Sequence, residues 1–505
     1  MSGRATARRT TSSRPAEWAS AARAALRRVP RAARLCALVA VLNGVAWSLV
    51  TPLFQVVDEP SHYSYTEYLV DHGRPPPPAG DEGRLSLSES AAFRDLRVEE
   101  LAASPGDPAL VTETEQRRLE RDLARYRGRD GNGASQSAEP EPPLYYVLAA
   151  VPFTLGLGGD VLDRLWLVRL LSTLLSGGTV LLVYLFLREA LPAHPWAWTV
   201  GALGVAFEPL FACMSGGANP DNLLYLVAAG LFLAFARIFR RGLTRRRAVG
   251  VGALIAIGFL TKINFVGLLP GALLGLFVAG VREEGALRWR ALRLPALGVG
   301  VAAAPIALEM ALNVLAWDRA AFGSGVYTTG GVHYSLSEGV RYLWEFYLPA
   351  LPFVDRVATG FSLYDIWFRG FVGEFGWLDT VYPSWVYRAS LVPFAIVLAL
   401  LGSALVRERR ALRERLAELL VYGALAAGLL ALIALASYNL FAQRIGGAAE
   451  PRYLLPLLAL YGAVLTLAVR GAGARWMPVV GTALVVLAFG HDVFGLLLEV
   501  ARYHG

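Results

Sequence analysis

Long apolar stretches recur along this chain and limit what it can become, among them "ALVAVLNGVAWSLVTPLF" (37–54) and "VYGALAAGLLALIALASYNLF" (421–441). A hydrocarbon core of about 30 Å takes about 20 helical residues to cross. Lipid offers an unpaired peptide group no partner, so each stretch must close its backbone hydrogen bonds within itself, as a helix. Hydrophobic residues fill 55% of 505 positions and charged ones 17%, a balance outside the soluble range. The expectation is an all-α polytopic transmembrane helical bundle of about 11 spans. They fall near 35–53, 165–187, 196–213, 221–238, 248–260, 264–281, 295–315, 389–406, 417–436, 453–469 and 477–498.

The net charge of +8 is distributed by loop. Residues 1–34 hold nine arginines and one acid, and further basic clusters lie at 237–247, 282–293 and 407–418. Basic residues mark cytoplasmic loops, so the pattern predicts a lipid bilayer as partner and gives no reason to expect nucleic acid. It places a basic cytoplasmic tail at 1–34 and a transmembrane module at 35–315, with a first outer loop at 54–163. A second outer loop follows at 316–388, then C-terminal transmembrane helices at 389–505. The stretch 248–281 reads as two short helices meeting at "LTKIN", because one helix would carry the arginines of 282–293 to the wrong side. "PPLYYVLAAVPFTLGLG" (142–158) is too short to span and is expected at the outer surface. Cys36 and Cys213 fall near opposite membrane faces, which excludes a disulfide between them.

Chemistry-bearing residues gather just after the first span, in "PLFQVVDEPSHY" (52–63). Asp58 and Glu59 either cap the next helix and favour its positive end, or form a partly dehydrated site in which burial raises carboxylate basicity. His62, one turn on, either tunes that acid, contacts phosphate or is a polar interfacial side chain. Pro60 and Gly73 bracket a helix, whose Tyr63, Tyr65, Tyr68, Leu69 and His72 predict a position flat in the interface. Lys262 is the only lysine in the chain. An ammonium at a membrane-embedded turn is costly unless it meets an anion; the other reading is snorkelling to the interface. Arg169 and Arg452 each open a span on the outer side against the charge bias, which fits a phosphate contact or an ion pair. Glu374, between the glycines of "GEFGW", is a turn residue or a ligand contact. Asn219, Asp221 and Asn222 are expected as helix caps, and Glu208, Glu309 and Asp492 as paired packing groups. The sequence has neither zinc-ligand spacing nor a phosphate-cradling glycine loop.

In order along the chain, "VDEPSHYSY", "EPPLYYVLAAVPF", the arginine-started "RLLSTLLSGGTVLLVYLFLRE" and "GFLTKINFVGLLP" resemble motifs of the GT-C glycosyltransferases, multi-pass enzymes that use polyprenyl-phosphate sugars. Within that superfamily, "GEFGWLDT" and "EPRYLLPLLALYG" look most like a bacterial family of predicted multi-pass membrane proteins. The second motif usually begins Gly-Arg-Tyr there, whereas Pro451 precedes Arg452 here. The resemblance implies a GT-C-like bundle in the bacterial cytoplasmic membrane, with an extracytoplasmic site. It implies transfer of a sugar from a polyprenyl-phosphate donor to a cell-envelope glycan or glycolipid, with inversion. Asp58 matches the base, with Glu59 as runner-up, and Lys262, Arg169 and Arg452 are the candidates for the donor phosphate. His62, Glu374 and Tyr145, from the Pro-Pro-Leu-Tyr-Tyr segment, are candidates for acceptor or secondary contacts. No cofactor is required, although a divalent cation at Asp58 and Glu59 stays open. A transporter or flippase of lipid-linked sugars would use a similar cavity, and a catalytically inactive binding subunit would keep the same acids. The lack of an internal sequence repeat weighs against the transporter.

Overall fold

The computed structural model describes residues 29–77, 85–104, 109, 112–126, 129, 138–192, 194–322, 335–349, 362–442 and 450–504. The basic tail before residue 29, most of the loop tip ahead of 138, and 323–334 and 350–361 of the second loop lie outside the described residues. Among the described residues, nine helices are long and apolar enough to cross a membrane. They run from Arg31–Val50 through Val161–Ala190, Asp221–Arg241, Ile263–Glu284, Trp289–Ala316, Ser384–Arg407, Leu416–Leu440 and Pro451–Gly471 to Gly473–Tyr503. Pro195–Ala206 and Pro209–Ser215, bent by 61°, make a tenth if counted as one broken span. Ten of the eleven expected spans thus have a counterpart of spanning length among the described residues, the broken pair counted as one. The eleventh, 248–260, is the short helix Arg245–Thr261, 17 residues long and ended by an extended Lys262. At about 1.5 Å per residue it falls short of a full crossing.

The bundle has two chemically different ends. Asp221–Arg241 begins on an acid and finishes on Arg240 and Arg241. At the arginine end, Arg240 and Arg415 both donate to the Ala190 carbonyl, which the end of its own helix leaves without a partner. The opposite end collects the loop after the first span, residues 138–146, the turn before Asp221, Lys262 and the short 3-10 turn Pro451–Leu457.

Pro60 sits in the first turn of Glu59–His72, and Gly73, at φ +67°, closes that helix by donating its N–H to Leu69 O. Only glycine takes this left-handed closing conformation without steric cost. The helix does not lie flat in the interface. Its residues from Glu59 to Tyr68 are buried, covered by Leu144–Leu155 and Leu87–Asp95 of the same loop. Tyr65 stacks on Tyr146 at 3.6 Å, Ser64 donates to Glu89 at 3.0 Å, and Arg164 lies 3.7 Å from Glu67. Those polar contacts explain the difference, because a buried carboxylate has to find partners: Glu89 of a covering helix finds Ser64, and Glu67 faces Arg164 of Val161–Ala190.

The described part of the second loop contains a minimal antiparallel pair, Glu374–Phe375 with Thr380–Val381. Its turn pins two distant elements. Trp377 Nε1 donates to Phe54 O at 3.2 Å, and Asp379 pairs with Arg502 of the last helix at 2.6 Å.

Candidate active site

The adjacent acids part company at the backbone. Asp58 holds φ +61°, a left-handed conformation that Asp tolerates better than most residues. It occupies the helix-cap position, but its side chain makes no cap hydrogen bond. Its Oδ2 instead accepts from Arg452 Nη2 at 2.6 Å. Arg452 Nε faces Glu450 at 2.5 Å, the same Nη2 reaches Tyr453 Oη at 3.3 Å, and Nη1 has no partner among the described residues. Burial pushes the Asp58 carboxyl up, but the Arg452 guanidinium, aided by other nearby cations, outweighs it and holds the group at about 2.

Glu59 turns the other way and is fully buried. Its Oε1 accepts from Arg169 Nε at 2.7 Å and from Ala218 N at 2.8 Å; its Oε2 accepts from Arg169 Nη2 at 2.6 Å and from Phe54 N at 2.8 Å. Arg169 also donates to Ser48 O at 3.1 Å, Thr51 O at 2.8 Å and Pro52 O at 2.8 Å, the carbonyls left over where the first span ends. A carboxylate offers about four lone-pair sites and a guanidinium about five N–H donors. Both are consumed. The roles expected of Glu59 in catalysis and of Arg169 on phosphate thus meet a saturated pair, because the fold brings backbone groups to both that the sequence alone does not show.

Lys262 sits where the membrane helix breaks. Its Nζ lies 2.8 Å from Asp221 Oδ1 and 3.9 Å from Glu141 Oε1. Asp221 is free to do this because the Asn219 side chain accepts the Asp221 N–H at 2.9 Å and so caps the helix in its place. Glu141 Oε2 accepts from Ile263 N at 3.2 Å, the first peptide after the break. Burial pushes Glu141 up to about 7, with Lys262 pulling the other way.

His62 Nδ1 lies 2.9 Å from Tyr146 Oη, and its Nε2 is buried without a partner among the described residues. Burial and then the Lys262 charge bring it down to about 3, so the ring is neutral at physiological pH. Glu374 lines a narrow cavity together with Glu450, Arg452, Val56, Val57 and Met214, and Arg369 approaches it at 3.7 Å. Burial raises its pKa. Tyr145 lies with the closed pair, its hydroxyl 3.5 Å from Ser172 Oγ on the helix that carries Arg169. Asp58, Arg452, Lys262, His62 and Glu374 thus gather at one end of the bundle, with Glu59, Arg169 and Tyr145 packed behind the loop. The acids turn to different cations, and among the described residues no three His, Cys, Asp or Glu side chains gather as a metal set.

A family model described as predicted membrane protein, DUF2142, matches residues 41–461, a range that holds every residue of this cluster. The chain belongs to that family. Comparison with curated proteins finds no match. Among solved structures, the crystal structure of the Archaeoglobus fulgidus oligosaccharyltransferase in the apo form is similar at 13% identity and a TM-score of 0.41. The likeness covers 92% of this chain and 54% of that one, so this family member spans about half that protein's length.

Three members of the cluster escape a reading of the sequence. Asp221 looks like a cap and is an ion-pair partner. Glu450 looks like a simple neighbour of Arg452 and shares the cavity wall with it. Glu141 looks like a loop acid, and its one signal in the sequence is the stiffness of a residue held between Pro140 and Pro142.

Proposed function

We propose that this membrane protein is a glycosyltransferase that moves a sugar from a polyprenyl-phosphate donor to an extracytoplasmic cell-envelope glycan or glycolipid, with inversion at the anomeric carbon. The observation that carries the reading is the Asp58–Arg452 pair. One acid, left out of helix capping, is held by an arginine with a spare donor, next to the chain's only lysine, at the end of the bundle away from its arginine-rich loops.

In the resting site Asp58 is a weak base, because Arg452 stabilises its charge. A donor phosphate competes for the same guanidinium. As Arg452 turns its Nη groups to the phosphate, Asp58 loses its cation while staying partly buried, and its basicity rises. It then takes the proton from the acceptor hydroxyl as that oxygen attacks the anomeric carbon. The bond from that carbon to the phosphate oxygen breaks, and Arg452 and Lys262 stabilise the departing polyprenyl phosphate. A single displacement from the face opposite the phosphate inverts the sugar carbon. Glu59 and Arg169 hold the loop in register, and Glu374 contacts acceptor hydroxyls.

Purified protein in vesicles, given a panel of polyprenyl-phosphate sugars and crude envelope acceptors, tests this. Wild type should release polyprenyl phosphate and Asp58→Asn should not. Equal release by the two removes Asp58 from the chemistry; donor binding without release by wild type turns the reading to a transporter or an inactive binding subunit.

A further inference from the structure

Lys262 faces more negative charge than it needs. Asp221 holds it at contact distance, 2.8 Å, and Glu141 adds a second carboxylate at 3.9 Å. A phosphate arriving at this ammonium would be the third anion on one cation in a buried site, which is strongly unfavourable unless one carboxylate gives way. Glu141 is the looser of the two, and its other oxygen keeps the Ile263 N–H whether the group is charged or neutral.

We infer that Glu141 is a proton-loaded gate on Lys262, admitting a phosphate-bearing ligand as it takes up one proton from water. This rests on the proposal that Lys262 receives the donor phosphate. The balance is simple: the Glu141 carboxylate and a solvent proton become the neutral acid, and the ligand's negative charge takes the place of the charge removed. The neutral acid then has an O–H to offer a phosphate oxygen.

The groups around Glu141 agree on the direction. From the Asp221–Arg241 helix, Asp221 disfavours its charged form, as does Asp58 from the first loop. His62 is neutral, and the charge of Arg452 faces Asp58 and Glu450. On its backbone side, the Glu141 carbonyl accepts from Tyr65 at 3.3 Å and from Arg319 at 3.5 Å. Arg319 also donates to Glu139 O and Asn313 Oδ1, and Asn313 in turn donates to Glu309. Lys262 is the cation in contact with the carboxyl itself, and Tyr146 remains protonated near neutrality because burial raises it. Glu141 therefore titrates at about 7 in the empty site. A bound anion raises it further, so affinity is full below about pH 7 and falls about tenfold per pH unit above it.

The test uses the full chain in detergent and farnesyl methyl phosphate, a phosphodiester that exchanges no proton in this range. Titration calorimetry in two buffers of different ionisation heat counts protons directly. At about pH 8 wild type should take up close to one proton per ligand. Glu141→Gln should bind with the acid-limb affinity, take up none, and lose the pH dependence. Asp221→Asn should keep the uptake and move its midpoint to lower pH. Binding by wild type without uptake, or equal uptake by Glu141→Gln, overturns the gate and leaves the phosphate site standing. No binding by any of the three chains overturns the phosphate site and the gate with it. The wild-type count alone decides the gate should a variant fail to fold.

Discussion

Asp58 and Glu59 are neighbours with the same chemistry and opposite fates. Glu59 meets Arg169 through two short contacts, and backbone N–H and carbonyl groups use every remaining valence of both. Asp58 meets Arg452 through one contact, and its partner keeps Nη1 in reserve. A buried pair that is complete can only support structure, since any substitution strands a charge. A pair with open valences can exchange one anion for another. Saturation, more than residue type, separates the supporting pair from the one proposed for chemistry.

The contrast can be broken by substitution. The largest effect is expected from Asp58→Asn, which should lower transfer by about a hundredfold to ten-thousandfold, the usual worth of a positioned base, while the chain still folds. Arg169→Ala should strand Glu59 and cost about 3–5 kcal/mol of stability, read as a lower thermal midpoint in detergent. A well-folded Arg169→Ala protein that had lost only donor affinity would reverse the assignments. Acid should separate the two pairs next. The folded-state pKa of Asp58, about 2, lies below its ordinary 3.8, so the pair stabilises the fold above about pH 4 and loses that contribution as pH falls through about 2. Wild type should exceed Asp58→Asn by about 2 kcal/mol on the neutral side, converging with it at the acid end. The smallest expected change is Trp377→Phe, which removes the hydrogen bond to Phe54 O and should cost about 1 kcal/mol, with a modest loss of transfer as the loop bearing both acids loosens.

The bundle was legible because apolar length is a local property. The break at Lys262 was legible as well, since the charge rule forbids carrying the arginines of 282–293 across. Proximity between acids and cations was harder. Nothing in "VDEP" says that Asp58 looks toward Arg452 and Glu59 toward Arg169, because a left-handed φ at Asp58 sends the side chains apart. Arg169 stands out in the sequence because it breaks the charge bias. Its partners, however, include the carbonyls of Ser48, Thr51 and Pro52, which come from another helix and carry no sequence signature. The tyrosines of Glu59–His72 suggested a lipid interface and instead meet the loop's own helices, a tertiary contact that periodicity cannot distinguish from a membrane surface. Glu141 was hidden for the same reason: its meaning comes from Lys262, far away along the chain.

The separation of partners sets an order of birth. Glu59 and Arg169 are 110 residues apart, Asp58 and Arg452 394. At about 5–20 residues per second, the ribosome delivers Arg169 roughly 5–20 s after Glu59 but Arg452 only roughly 20–80 s after Asp58. The supporting pair can close while most of the chain is still unmade. Asp58, the base of the proposed reaction, has to wait for its arginine until the span Pro451–Gly471 arrives. A nascent chain released between those two moments should hold its first loop in place and lack the Asp58–Arg452 pair, so on the proposed mechanism it should be chemically silent until Arg452 is made.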